Sequence, residues 1–93
     1  MKGRAAPAHT PDQQRQTERI AALRSGDVGQ VRAWAERYGV TLLGDEQTVL
    51  ISFHEARAVE QALPVSVRRD SRRWLEQHYP QSSVLGRASR WLD

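Results

Sequence analysis

The sequence predicts a mainly α fold: a single small domain of four to five short helices, with one small β-hairpin between the second and third helices. Three observations lead there. Cap residues recur just ahead of apolar residues spaced three and four apart, and a glycine or proline stands beyond each such stretch. Only one stretch, Val40–Ile51, is rich in β-favouring residues. Ninety-three residues with no cysteine supply one modest core and no disulfide framework.

Residues 1–9, MKGRAAPAH, have no apolar period and read as a flexible basic arm carrying Lys2 and Arg4, ahead of a single helical domain over residues 10–93. Thr10-Pro11-Asp12-Gln13 resembles a capping box with proline at the first helical position, and the helix it opens runs to about Ser25, with Gly26 as its stop. Asp27 caps the second helix, in which Val28, Val31, Trp34, Ala35 and Tyr38 repeat at helical spacing up to Gly39. Val40–Leu43 and Thr48–Ile51 then enclose Gly44-Asp45-Glu46-Gln47, the pattern of a hairpin.

Ser52-Phe53-His54-Glu55 forms a second capping box, which predicts a third helix with Ala56, Val59, Ala62 and Leu63 inward, ended by Pro64. On this reading His54 is exposed in a first turn. Ser66 is the expected cap of a fourth helix that Pro80 terminates. Ser82 or Ser83 caps a short last one with Val84, Leu85, Ala88, Trp91 and Leu92 on one side.

Composition narrows the function classes. No apolar run is long enough to span a bilayer or serve as a secretory core, so the expected compartment is the cytoplasm. Zinc-thiolate sites and cysteine nucleophiles are excluded. His54-Glu55 begins like a zinc-protease helix, but position 58 is alanine and the second histidine is missing. His9, His54 and His78 are dispersed, no phosphate-cradling glycine loop is present, and the expectation is a non-enzyme with no cofactor, metal or small-molecule substrate.

The net charge of +3 hides an asymmetry: residues 1–26 and 65–93 are basic, and residues 27–64 are acidic. The strongest feature is Val67-Arg-Arg-Asp-Ser-Arg-Arg-Trp-Leu-Glu-Gln-His78. On a helical wheel Val67, Ser71, Trp74, Leu75 and His78 share one side, while Arg68, Arg69, Arg72, Arg73 and Glu76 cover the other. These arginines occupy the first two turns, where the helix dipole disfavours cations, and they form like-charged i,i+4 pairs. Asp70 and Glu76 recover part of that cost by reaching Arg72 and Arg73. Two outcomes are open: an external anion relieves the rest, or the chain's own Glu55, Glu60, Asp45 or Glu46 does.

Val31-Arg32-Ala33-Trp34-Ala35 followed by Gly39 resembles the start of the DNA-binding domain of the actinobacterial Lsr-type nucleoid-bridging proteins. That family continues with an Arg-Gly-Arg loop that enters the minor groove. Here the acidic Gly44-Asp45-Glu46-Gln47 stands in its place, so the loop's contacts do not carry over.

Two functions follow as expectations. In the first, the chain is a small nucleic-acid-binding protein whose Arg68, Arg69, Arg72 and Arg73 contact DNA or RNA phosphates, helped by Lys2 and Arg4 in the arm. In the second, it is a protein-interaction module, a homodimer, adaptor or small inhibitor, anchored through Trp91 and Leu92.

Overall fold

A computed structural model describes residues 11–86 of the chain. Its order is α1 (Pro11–Ser25), α2 (Val28–Tyr38), α3 (Glu46–Val59) and α4 (Val65–His78), with a further helical segment beginning at Ser83. The arm at 1–9 and the Trp91-Leu92 pair lie outside the described residues.

The first two helices follow the expected signals. Gly26 ends α1 in the left-handed region at φ 76°, and its N–H donates to Leu23 O at 3.3 Å. Asp27 Oδ1 accepts from Gly29 N at 2.8 Å to open α2, and Gly39, at φ 68°, closes it by donating to Ala35 and Glu36 carbonyls. Helices α1 and α2 pair across this tight turn.

The β-hairpin is not present: no residue among those described is in a strand. Val40 to Asp45 cross as an irregular connection, and Thr48–Ile51, expected as the second strand, lies in the first two turns of α3. The helix starts early because Asp45 is a better cap than its neighbours suggest. Its Oδ1 accepts from Thr48 N at 2.8 Å, three residues on. Gly44 sets up that cap at φ 97°, where a Cβ would meet Thr48 Cγ2 at 2.6 Å. Val49, Phe53 and Ala56 then face inward at helical spacing, and burying them outweighs the β preference of Thr48, Val49 and Ile51. Ser52 is therefore an exposed mid-helix residue and not a cap.

Two further boundaries move. Helix α3 stops at Val59, a turn before Pro64, because Glu60 adopts an extended conformation and its carboxylate accepts from Ala62 N at 3.2 Å. Val59 and Ala62 are consequently exposed, whereas Leu63 is buried in the turn. Helix α4 begins at Val65 without a side-chain cap; the Pro64 carbonyl accepts from Val67 N and Arg68 N, and Ser66 is simply exposed.

The core is small. Leu23 from α1, Phe53 from α3 and Leu63 from the turn form its centre, with Ile20, Val28, Val31, Leu50, Ala56 and Val67 packed around it. The inward side of α4 is largely the expected one: Ser71 and Leu75 are buried, and Val67 and Trp74 are half-buried, but His78, placed on the same side, is exposed one turn beyond Trp74 near the helix end. Trp34 is also half-buried, its indole N–H donating to Arg15 O at 2.9 Å across the α1–α2 pair.

The early start of α3 makes a sharp contrast. Asp45→Ala should lower the urea midpoint of unfolding, while Ser52→Ala should leave stability within about 0.5 kcal/mol of the parent. Equal effects of the two substitutions would contradict the assigned helix start.

Candidate nucleic-acid interface

Helix α4 does not present its four arginines as one uniform face. Arg69 and Arg73 are exposed, one turn apart. Arg68 is half-buried and its Nε donates to Leu63 O at 3.2 Å, clasping the turn that precedes the helix. Arg72 is half-buried as well, with Nη1 enclosed and without a hydrogen-bond partner. Lys2 and Arg4 lie outside the described residues.

The acidic middle of the chain is occupied elsewhere. Glu60 pairs with Arg19 of α1 at 3.0 Å, an interaction that, together with the bond from Ala62 N, holds its carboxyl below the usual range. Glu55 accepts from Ser82 Oγ at 2.6 Å. Asp45 caps α3, and the bonds it accepts from Thr48 lower its pKa. Glu46, at the exposed start of α3, joins no ion pair among the described residues. Asp70 and Glu76 do not form the expected pairs with Arg72 and Arg73 either: no carboxylate among the described residues lies within 4.0 Å of any of the four α4 guanidiniums. Glu18, the remaining acid on an interhelical contact, takes Arg37 of α2 at 2.6 Å; hydrogen bonds from Tyr38 and Gln14, and after them the Arg37 charge, lower its pKa.

The inner side of α4 carries a polar cluster that sequence reasoning missed. Arg57, 8% exposed, donates through Nε to Leu23 O at 2.7 Å and through Nη1 to Ser71 Oγ at 2.9 Å. His54 Nδ1 lies 2.9 Å from the same Ser71 oxygen. His54 was expected to be exposed in a first turn; because α3 begins at Glu46, it sits mid-helix and faces α4. Arg57 can only donate, so Ser71 Oγ accepts from it, and toward His54 Nδ1 the hydroxyl gives or takes a proton according to the imidazole tautomer. Burial in the first place, then the charges of Arg57 and His78, push the His54 pKa down to about 4. Burial also lowers Arg57, against the opposing charge of Asp70.

Three rings pile up beside this cluster. His54 stacks on Trp74 at 4.1 Å and Trp74 on His78 at 4.3 Å, with His78 Nδ1 anchored on Trp74 O at 2.9 Å. Both faces of Trp74 are therefore covered by imidazoles, which leaves it no face for a nucleobase. Ser71 next to His54 has the spacing of a nucleophile and its base, but Ser71 is fully buried and no substrate reaches it in this arrangement. No group of three potential metal ligands occurs among the described residues.

A separate apolar cavity of about 320 Å³ opens between α1, α2, the connection and α3, floored by Leu23, Val49 and Phe53 and rimmed by Leu43, which is 77% exposed. No helix among the described residues is long and apolar enough to cross a membrane.

Comparison of the chain with protein-family models, with curated proteins and with solved structures finds no match. The likeness of Val31–Gly39 to the Lsr-type domains therefore stays a local one.

Ser71 is the one oxygen shared by Arg57 and His54, so Ser71→Ala removes the hydroxyl partner of Arg57 Nη1 and His54 Nδ1, while Arg57 Nε keeps Leu23 O. The expected loss is about 1–3 kcal/mol in urea unfolding. A substitution without effect would show that the cluster is not formed in solution.

Proposed function

We propose that this chain is a small, non-enzymatic DNA- or RNA-binding protein that works in the cytoplasm and holds phosphates with the arginines of α4. The observation that carries this reading is the absence of any carboxylate partner for Arg68, Arg69, Arg72 and Arg73 among the described residues, while Glu55, Glu60 and Asp45 are engaged elsewhere. Arg69 and Arg73 are the primary contacts, being exposed on one face. Arg68 contributes its Nη groups, since only its Nε is spent on Leu63. Arg72 is half-buried and stands on the same side of the helix. Arginine suits the task because its planar fork bonds two phosphate oxygens together. The uncapped start of α4, with no acidic residue in its first turn, adds a favourable dipole for an anion. Lys2 and Arg4 of the arm add non-specific attraction. Binding of this kind reads charge and not base sequence.

Anisotropy titrations of labelled duplex DNA and structured RNA across salt test the reading. Affinity should fall steeply with salt, and Arg69→Ala or Arg73→Ala should each reduce the log–log slope by about one. Absence of binding to either nucleic acid at ~50 mM salt would refute it.

A second reading, a protein-interaction module, is favoured by Leu43, which stands exposed at the edge of the apolar cavity. Its original anchors, Trp91 and Leu92, lie outside the described residues. Light scattering distinguishes the two: a homodimer that Leu43→Asp converts to monomer supports the interaction reading, and a parent chain that stays monomeric at all concentrations removes its homodimer form.

A further inference from the structure

We propose that the Arg57–Ser71–His54–Trp74–His78 cluster is an acid-operated latch: taking a proton at His54 releases α4 from the rest of the domain.

The geometry makes His54 the hinge point of the α3–α4 contact. Its ring is stacked on Trp74 at 4.1 Å on one side and meets the Phe53 ring edge-on, 5.0 Å away, on another. Its Nδ1 lies 2.9 Å from Ser71 Oγ, which also accepts from Arg57 Nη1 at 2.9 Å; in the neutral tautomer with the proton on Nε2, Nδ1 accepts the Ser71 proton. A proton on Nδ1 reverses that hydrogen bond. Two cations, His54 and Arg57, then point their N–H groups at one buried oxygen.

No charge is at hand to compensate. From α4 the groups facing His54 are Ser71, Trp74 and, behind the indole, His78, which is itself a base. From α3 they are Phe53 and Arg57. Asp70 is the acid whose charge reaches the cluster, and it acts on Arg57. Glu55, adjacent in sequence, is held by Ser82. A buried cation without a carboxylate is unstable, and moving α4 away returns both imidazole and guanidinium to water.

The release is local. Helix α4 packs chiefly against α3, in the most extensive helix pair among the described residues, and reaches the Leu23–Phe53–Leu63 centre through Val67; α1 and α2 hold each other by their own pairing. Opening leaves α1 and α2 paired and α3 held to them by Phe53 on Leu23 and by the bond from Arg57 Nε to Leu23 O, while Arg57 Nη1 gains access to water.

The pH window follows from linkage. With α4 docked, His54 titrates at about 4; with α4 released, its pKa returns to the ordinary 6.5. The docked state thus has its full advantage above pH 6.5 and loses it as pH falls toward 4, by about tenfold in the docking equilibrium per pH unit. Between pH 7.5 and 5.0 the open fraction rises about 25-fold. The latch acts whether or not α4 meets nucleic acid, and in the proposed function it would link the arginine surface to acidity.

Amide hydrogen exchange on the full 93-residue chain, corrected for the intrinsic pH dependence of exchange, tests it. The amides of α4 should lose about 25-fold in protection between pH 7.5 and 5.0, with α1 and α2 changing far less. In His54→Gln, which keeps an acceptor for Ser71 and does not titrate, the selective loss should vanish. Loss of protection in α1, α2 and α4 together, or none in α4, overturns the latch. So does an unchanged response in His54→Gln. Should that variant fail to fold, NMR titration of the His54 ring in the parent chain decides: a midpoint near 4 supports the latch, and one near 6.5 overturns it. None of these measurements involves nucleic acid, so their outcome is separate from that of the binding experiment.

Discussion

The buried guanidinium of Arg57 is the interaction on which the rest of the arrangement depends. It arises from α3, bonds the last free carbonyl region of α1 at Leu23, and reaches α4 through Ser71, so one side chain ties three helices. Its position at the C-terminal end of α1 is electrostatically favourable, since that end carries partial negative charge. The Phe53 ring lies 5.5 Å beneath it and adds a cation–π contact. The tight passage at Gly26 belongs to the same arrangement: a Cβ there would lie 3.6 Å from Arg57 Nη2, and the left-handed φ of 76° itself favours glycine. A cation in a core this small is tolerated because its Nε and Nη1 both find oxygen atoms.

That constraint also sorts the charges of the molecule. Arg19 and Arg37 are used between helices, against Glu60 and Glu18, and Arg57 is used inside. Arg68 clasps the turn before α4. What is left facing outward on α4 is Arg69 and Arg73. A basic run that looks uniform in the sequence is thus divided by the fold into anchoring and outward-facing members, and only the second kind is placed to meet a partner's anions freely.

The sequence carried the helical class and most element boundaries, for local reasons. Asp27 with Gly39, and Gly26 after Ser25, are cap and stop signals that act within a few residues. The wheel of α4 placed Ser71 and Leu75 inward correctly, because a period of 3.6 residues is a property of the helix alone. The error at Val40–Ile51 has an equally specific cause. Thr48, Val49 and Ile51 favour strands individually, but an isolated hairpin had nothing to pair with, whereas a helix starting at the Asp45 cap put Val49 and Phe53 on Leu23. The misplacement of His54 followed from that single shift, since a residue assigned to a first turn became the centre of a helix–helix contact.

By itself, then, the sequence determined a mainly helical chain, the ends of α1 and α2, most of the inward side of α4 and the concentration of arginines in its first two turns. These follow from short-range sterics, capping and periodicity, which act within one element. The tertiary structure decided the start of α3, the burial of Arg57 and His54 around Ser71, and the division of the α4 arginines. Those depend on which groups from distant elements meet at a few ångströms, and a hydrogen bond between residues 34 positions apart, Arg57 to Leu23, leaves no mark in local pattern.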